Sequence, residues 1–299
     1  MIEVKGTTLK YSNGKGIFDL NFKVNKGEVF GYIGPNGAGK TTTIRMLMGL
    51  SRPNKGVATI KGFNCAKQTA PIQKILGYVP GEIAFFEEMR GNTFLNFMTQ
   101  MRGTKKTKSL KIRESLIERF ELDTREKIER MSKEMKQKLA IVAAFMHDPD
   151  ILILDEPTSD LDPLMQTRFV DLILEEKRRG KTILLSSHRF EEVERICDRV
   201  GIIKEGRIIE ENDIIELKSS ETKSYLVKFG TPPNLEELRR YGFSFKQFTE
   251  KDFEIFSPGD RIDQLVKALA REKVLVFNSN PQTLEEIFLR HYGKEAKKA

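Results

Sequence analysis

The sequence lacks any long hydrophobic run and any closely spaced pair of cysteines. No apolar stretch approaches the roughly 18 residues that a membrane-spanning helix needs, and Met1 leads directly into the strand-like Ile2-Glu3-Val4 with no secretory leader. The 2 cysteines, Cys65 and Cys197, form no Cys-x-x-Cys motif. We therefore expect no membrane helix and no disulfide scaffold. The chain should belong to a reducing cytoplasm, where it is soluble or reaches a membrane through a partner.

The charge of the chain is basic but mixed in sign. Of 299 residues, 39% are hydrophobic and 31% are charged, and the formal net charge is +8. This apolar content is enough for a core, and the length allows one large domain or two ordinary ones. A basic balance can favour nucleic acid or an anionic membrane surface. Lysines scattered over a soluble enzyme give the same number, and we favour that interpretation because both signs are interspersed.

The most informative segment is a glycine-rich loop that fits the pattern G-x-x-x-x-G-K-[ST] in full. Residues 28–33 are predicted to form a buried strand that enters the loop, and residues 41–50 a helix that leaves it. Backbone N–H groups and the positive helix end would cradle phosphate oxygens. Lys40 would reach the β- and γ-phosphates, and the Thr41 hydroxyl would ligate Mg²⁺. The loop consists of Gly34, Pro35, Asn36, Gly37, Ala38, Gly39, Lys40, Thr41 and Thr42.

The N-terminal part of the chain predicts an α/β fold with three layers. Residues 2–33 alternate strand-like runs with turns, which is typical of an antiparallel β layer. Residues 88–148 show helical periodicity and no convincing strand, which predicts a helical subdomain. The short apolar runs 151–154 and 182–185 are typical of parallel strands buried on both faces. The helical segment 164–179 between these runs completes a βαβ unit, so we expect a parallel-sheet core.

A second, smaller domain is predicted after residue 217. Its elements run strand, helix, strand, strand, helix, strand, which is the order of the α+β ferredoxin-like fold. These six elements are predicted at residues 224–229, 234–241, 243–249, 252–257, 261–272 and 274–278. Thr283 and Glu286 form a capping box that predicts a final helix. We therefore expect domains at 1–217 and 218–299, the second without a phosphate or metal motif.

An apolar strand that ends in two carboxylates follows the helical region. Asp155 can hold Mg²⁺, and Glu156 can polarise the water that attacks a γ-phosphate. Residues 157–163, Pro-Thr-Ser-Asp-Leu-Asp-Pro, follow at once. At this point the chain resembles the ATP-binding-cassette (ABC) ATPases, whose Walker B motif runs into a D-loop in this way. The resemblance places Asp162 at the D-loop aspartate and implies ATP and Mg²⁺ as cofactors.

The same resemblance implies roles for further positions. Tyr11 lies where these ATPases place an aromatic ring that stacks on adenine, although a tyrosine packed in the β layer would look the same. His188 matches the switch histidine, which contacts the γ-phosphate and the catalytic glutamate. Ser132 lies at the signature position, where it would cap the next helix and bind the γ-phosphate held by a partner cassette. His147 and His291 match no motif and are expected to be structural or surface residues.

Two motifs depart from the family pattern. In the signature, usually Leu-Ser-Gly-Gly-Gln, Lys133 and Glu134 replace the two glycines. Glu134 would bring a carboxyl group near a phosphate, which bears on how tightly two cassettes close. In the Q-loop, the glutamine position holds Gly81, which cannot touch Mg²⁺ and the attacking water as the family's glutamine does. The adjacent Glu82 is a candidate substitute that we do not favour.

The resemblance covers residues 1–217 in detail and implies the ATPase subunit of an ABC exporter, with Lys40, Glu156 and His188 in catalytic roles. The second domain, with residues 284–289, is similar to the ATPases of bacterial drug and antibiotic exporters. Two cassettes, identical or different, would enclose two MgATP and move separate membrane-spanning permease subunits. The chain would then lie in the cytoplasm, on the inner face of the membrane. Four phenylalanines after the Q-loop form a permease groove or belong to the core: Phe85, Phe86, Phe94 and Phe97.

Two other functions stay open from the sequence. A soluble ABC ATPase acting on ribosomes or nucleic acid would use the basic cluster Arg102, Lys105, Lys106, Lys108, Lys111 and Arg113. Such proteins usually carry two cassettes or a long coiled-coil insertion, whereas this chain has one phosphate loop and no sustained heptads, so we expect no nucleic acid partner. A weakly hydrolysing, ATP-dependent switch is suggested by Gly81 and Glu134, but the otherwise intact catalytic set opposes it.

Overall fold

The structure is a computed structural model that describes residues 1–102, 106–214, 216, 222–258, 261–280, 284–285 and 288. The chain divides into two compact units, Met1–Asn212 and Asp213–Ala299. Within the described ranges, no helix combines the length and the apolar character needed to cross a bilayer.

The first unit combines two β-sheets with helices. Its strands are β1 (Ile2–Lys10), β2 (Gly16–Val24), β3 (Val29–Ile33), β4 (Lys55–Ile60), β5 (Phe63–Asn64), β6 (Leu76–Val79), β7 (Ile151–Asp155), β8 (Thr182–Ser187), β9 (Arg199–Lys204) and β10 (Arg207–Asp213). Its helices are α1 (Lys40–Leu47), α2 (Thr69–Ile75), α3 (Gly91–Arg102), α4 (Lys106–Arg119), α5 (Lys133–Phe145), α6 (Pro163–Arg178) and α7 (Phe190–Ile196), with a 3₁₀ turn at Ile128–Arg130.

The central sheet has the strand order β10-β9-β3-β8-β7-β6. Strands β3 and β7 are buried over their whole length, as is β8 between them, which explains their continuous apolar sequences. The three strands are parallel and in register, with Ile33 opposite Ser187 and Asp155 opposite Ser186. Their carboxyl ends therefore meet at one edge of the sheet, where the segments that follow them come together.

The antiparallel sheet has the order β2-β1-β4-β5 and shares a core with the central sheet. The ring of Phe22 on β2 stacks on Phe30 and Tyr32 of β3, with centroids 5.7 Å and 5.5 Å apart. Helix α1 ends at Leu47, before the predicted residue 50, because Gly49 adopts a φ of 73° that terminates the helix. The two sheets thus enclose α1 and fix the loop that precedes it.

The predicted helical subdomain is formed by α3, α4 and α5. Among the described residues of 88–148, β pairing is limited to a single bridge between Arg90 and Lys127. Every residue from Gln137 to Phe145 in α5 is buried, so this helix is the hydrophobic centre of the layer. It contacts β6 of the central sheet as well as α3 and α4, which ties the helical layer to the strand ends.

The second unit has the predicted ferredoxin-like order. Its elements are β11 (Thr222–Phe229), α8 (Glu236–Arg240), β12 (Ser244–Gln247), β13 (Asp252–Pro258), α9 (Ile262–Leu269) and β14 (Val274–Asn280). The strands pair antiparallel in the order β12-β13-β11-β14. Tyr225, Val227 and Phe229 alternate along β11 and pack against Leu265 and Leu269 of α9. The fold class of both units agrees with the prediction, while the capping-box residues Thr283 and Glu286 lie outside the described residues.

Candidate nucleotide site

The glycine-rich loop runs from the end of β3 to the start of α1. Gly37 and Gly39 have φ angles of 80° and 114°, which residues other than glycine adopt only with strain. At Gly34 the space is also closed, because an added Cβ would lie 2.4 Å from the Ile203 carbonyl oxygen. The backbone N–H of Gly206 donates to the Ala38 carbonyl at 2.8 Å. The β9–β10 turn therefore packs against the loop and helps to fix its backbone conformation.

Lys40 is the first residue of α1, and its side chain is buried against the loop. Its Nζ donates to the Gly34 carbonyl oxygen at 2.7 Å. The same ammonium lies 3.2 Å from Oε1 of Glu156, which follows β7. Lys40 therefore places its positive charge between the phosphate loop and the carboxylate at the neighbouring strand end.

Asp155 is fully buried at the end of β7. Its Oδ1 accepts a hydrogen bond from the Ser186 hydroxyl at 2.5 Å, and the Thr41 side chain is nearby. Burial raises the pKa of Asp155, and the Ser186 and Thr41 hydroxyls oppose the rise. Its Oδ2 finds no hydrogen-bond partner among the described residues. A buried carboxylate oxygen without a partner, next to a threonine hydroxyl, is suited to ligate a divalent cation.

Glu156 lies between a lysine and a histidine. Its Oε2 lies 2.7 Å from Nδ1 of His188, and the His188 backbone N–H donates to the same oxygen at 3.3 Å. Its other oxygen faces Lys40. The backbone N–H of Glu156 is held by the carbonyl and the hydroxyl of Ser186, and its φ is 49°. The carboxylate is thus fixed at three points, in a geometry that could orient a water molecule.

A cavity of about 320 Å³ opens over the loop. Its lining residues come from the loop, the β1–β2 turn and the end of β7: Tyr11, Asn13, Lys15, Gly16, Pro35, Asn36, Gly37, Gly39, Lys40, Thr41, Thr42 and Glu156. Tyr11 is 41% exposed, so its ring lies on the rim of the cavity rather than in the β core. A larger hollow of about 680 Å³ beside Arg52 and Lys67 contains none of the loop residues. The smaller cavity is therefore the candidate nucleotide site.

Ser132 and Asp162 lie apart from this cavity and cap helices. The Ser132 hydroxyl accepts from the Met135 N–H at 3.1 Å at the start of α5. Asp162 Oδ1 accepts from the Met165 N–H at 2.9 Å at the start of α6, and this bond lowers the pKa of Asp162. Among the described residues that line the cavity, neither of the two is present. A single chain thus does not bring them to its own phosphate loop.

The two departures from the family pattern have structural partners. Glu134 forms an i,i+4 ion pair with Lys138 at 2.7 Å. Its charge is therefore balanced within its own chain. Gly81 packs on the buried carboxylate, since an added Cβ would lie 3.0 Å from Asp155 Oδ2. Glu82 is exposed.

The phenylalanines after the Q-loop divide between core and surface. Phe94 is 7% exposed and meets Phe85 edge to face, with centroids 4.9 Å apart. Phe86 is 58% exposed and meets Phe97 in the same manner at 5.8 Å. Phe94 is thus core, and Phe86 is the member available to a partner.

His147 is buried in a polar contact that the sequence did not indicate. The guanidinium of Arg102 lies 2.7 Å from its Nε2 and donates to the carbonyls of Gln73 and Leu76. Burial, followed by the Arg102 charge, lowers the pKa of His147 to about 4. Arg102 therefore belongs to this internal contact rather than to a solvated basic face. Of the same basic cluster, Lys105 lies outside the described residues, as do the side chains of Lys106 and Lys108.

Ser186 and Gln137 were missed by sequence reasoning. Ser186 binds both Asp155 and the backbone of Glu156, and Gln137 donates to the Pro157 carbonyl at 2.6 Å. The signal for Ser186 was a serine pair that ends an otherwise apolar strand directly before His188. Gln137 gave no comparable signal, because its partner is a backbone carbonyl 20 residues away.

Comparisons with known proteins identify the family of the chain. A family model described as "ABC transporter" matches residues 17–159. The chain is 36% identical to the linearmycin resistance ATP-binding protein LnrL of Bacillus subtilis, over 70% of this chain and 68% of that protein. It is 32% identical to the Nod factor export ATP-binding protein I of Burkholderia orbicola, over 98% and 97%. A solved structure titled "Structure of ATP binding subunit of ABC transporter" matches with a TM-score of 0.68 and 32% identity, over 73% of this chain and 92% of that one. The chain therefore belongs to the ABC transporter family, as one of its ATP-binding, ATP-hydrolysing subunits.

Proposed function

We propose that this chain is the ATPase subunit of an ABC exporter and that it drives separate membrane-spanning permease subunits. The observation that carries the proposal is the meeting of Lys40, Asp155, Glu156 and His188 at one edge of the central sheet, beside the phosphate loop. Two relatives support the direction of transport, since one is named for resistance to linearmycin and another for Nod factor export. We further propose that the cassette spans residues 1–217 and the accessory domain residues 218–299.

The roles of the site residues follow from their positions. The loop N–H groups and Lys40 bind the β- and γ-phosphates, and the exposed ring of Tyr11 stacks on adenine. Thr41 and Asp155 hold Mg²⁺, which the buried, unpartnered Asp155 Oδ2 favours. When bound, the cation screens the phosphate charge. Glu156 then accepts a proton from the attacking water, and His188 keeps the carboxylate aligned.

A second cassette completes the site in this proposal. Ser132 and the N-terminal turn of α5 would face the γ-phosphate held by the other cassette, and Asp162 would lie at the same contact. This is supported by the absence of both residues from the described lining of the cavity in their own chain. The permease would hold the pair on the inner face of the cell membrane, with the exposed Phe86 as one point of contact. ATP binding closes the pair, and hydrolysis reopens it.

The test is a tagged purification from detergent-solubilised native membranes, followed by identification of what co-elutes. We expect a stoichiometric multi-spanning membrane protein and ATP hydrolysis that Glu156→Gln abolishes. Glu191 is exposed and is not among the described residues that line the nucleotide cavity. Glu191→Gln is therefore the matched control and should retain turnover. Recovery of the chain outside the membrane fraction, alone or with ribosomes, would overturn the exporter assignment.

A further inference from the structure

Two side-chain contacts join the segment after β7 to the segment after β8. In the first, Glu156 of the β7 segment reaches His188 of the β8 segment at 2.7 Å. In the second, the Thr158 hydroxyl of the β7 segment donates to Glu192 Oε2 of the β8 segment, also at 2.7 Å. Each segment thus contributes one carboxylate. The two contacts lie two residues apart on the first segment and four residues apart on the second.

The second contact is buried, whereas the first reaches solvent. Thr158 is 2% exposed and Glu192 is 7% exposed, while the His188 side chain is 56% exposed. Burial raises the pKa of Glu192, and its Oε1 finds no hydrogen-bond partner among the described residues. Placing a carboxyl group in this position is costly, and well-packed apolar side chains are often as stable. A contribution to global stability is therefore a poor explanation for Glu192.

Other side chains also hold the β7 segment, but they come from different directions. Gln137 of α5 donates to the Pro157 carbonyl at 2.6 Å, and Gln166 of α6 donates to the Leu161 carbonyl at 2.7 Å. Glu192 differs because its own helix, α7, begins just after His188. A contact from this helix to Thr158 therefore sets the distance between the two segments that carry Glu156 and His188.

We propose that Glu192 is a positioning residue, which acts through Thr158 to hold Glu156 and His188 in register. Its side-chain contact is with Thr158, and it acts by geometry. Hydrolysis is sensitive to such geometry, since a misplacement of about 1 Å can lower a rate by roughly a hundredfold. The inference rests on the roles proposed above for Glu156 and His188, and on ATP hydrolysis rather than on the identity of the cargo.

The first experiment compares steady-state ATP turnover of full-length variants. Thr158→Val and Glu192→Leu remove the contact and should lower kcat by about tenfold, with KM for MgATP within about twofold of wild type. Thr158→Ser and Glu192→Gln keep a donor and an acceptor and should retain most of kcat. Glu191→Leu, on the same helix but exposed, is the matched control and should be unchanged. If all variants fold to wild-type thermal midpoints and the apolar ones keep full kcat, the proposal is wrong.

The second experiment separates positioning from a general structural effect. In a His188→Ala background, Glu156 has no imidazole with which to be held in register, so Thr158→Val should change the residual kcat by less than about twofold. An equal, roughly tenfold loss in both backgrounds would overturn the proposal. The proposed function is tested separately, by the ATP turnover of variants at Glu156 and His188. If Glu156→Gln and His188→Ala leave turnover intact, the assigned site fails. If both lower it sharply but Thr158→Val leaves kcat at the wild-type level, the positioning role of Glu192 fails.

Discussion

Lys40 Nζ lies 3.2 Å from Glu156 Oε1, so the phosphate loop and the end of β7 are joined by opposite charges. Lys40 is almost fully buried, and a buried ammonium needs such a counter-charge. A triphosphate that enters the cavity would offer Lys40 a second anion. The glutamate would then be released from this contact while its other oxygen stays with His188. Nucleotide binding and the orientation of the carboxylate would thus be coupled through one ammonium group.

Glu156→Gln should therefore separate binding from hydrolysis. The amide preserves the shape of the side chain but cannot accept the proton of water, so we expect kcat to fall by about a hundredfold or more. ATP affinity should be retained or increased, because Lys40 no longer shares its charge with a carboxylate. Turnover assays and ATP-binding titrations check the two effects. Loss of binding in parallel with turnover would contradict the separation. Equal, near-background turnover of the wild type and the variant in the assembled complex would favour an ATP-dependent switch.

Gly81→Ala should weaken the response to Mg²⁺. The new Cβ would lie 3.0 Å from Asp155 Oδ2, the buried oxygen proposed to face the cation. Because Asp155 is fully buried and held by Ser186, it has little room to yield. We expect the Mg²⁺ concentration for half-maximal turnover to rise several-fold. The neighbouring Glu82→Gln is the control, and an equal effect there would show that Glu82 substitutes for the missing glutamine.

The buried contact between His147 and Arg102 predicts a loss of stability in mild acid. The pKa of His147 is lowered to about 4, from an ordinary value of 6.5, so the unfolded chain takes up this proton first as the pH falls. The free energy of unfolding should therefore decrease by about 2 kcal/mol between pH 7 and pH 5 from this group. Urea titrations of wild type and His147→Gln at both pH values check this. The variant should lose about 2 kcal/mol less over the same interval, and an identical pH dependence would contradict the prediction.

The Glu134–Lys138 ion pair should make the chain more stable than glycine at position 134 would, as measured by the free energy of unfolding. Lys138 is 10% exposed at its side chain and lies 2.7 Å from Glu134. Glu134→Gly, which restores the family pattern, removes the carboxylate that pairs with the nearly buried Lys138 ammonium and adds a glycine to a helix. We expect a loss of roughly 3 kcal/mol in the free energy of unfolding. Adding Lys138→Met should recover part of that loss, while the exposed Lys133→Gly serves as a glycine control. Absence of recovery would refute the coupling.

The parts of the fold that could be predicted are those with local signals. The buried strands 151–154 and 182–185 were recognisable because parallel strands covered on both faces carry unbroken apolar runs. The glycine-rich loop was recognisable because positive φ at Gly37 and Gly39 demands glycine. The ion pair between Glu134 and Lys138 could also be predicted from the sequence, since the two residues are four apart on one helix.

The contacts that sequence reasoning missed depend on register and packing between distant segments. Thr158 and Glu192 are 34 residues apart, and nothing in either local pattern indicates that they meet. The ambiguity of Tyr11 had the same origin, because an alternating strand pattern does not say whether a ring at its end turns inward or outward. Packing placed it on the rim. These contacts are consequences of which strands lie side by side.

The register between β7 and β8 limits which insertions and deletions the proposed site can tolerate. Asp155 stands opposite Ser186, and side chains alternate between the faces of a strand. Inserting one residue within β8 before Ser186 would move Ser186 to the other face, and Asp155 would lose the hydroxyl that fixes it. Deleting one residue there would put Ser187 in the place of Ser186 and would move His188 away from Glu156. The site therefore tolerates substitutions in β8 far better than insertions or deletions there, although the strand itself contains none of the proposed catalytic side chains.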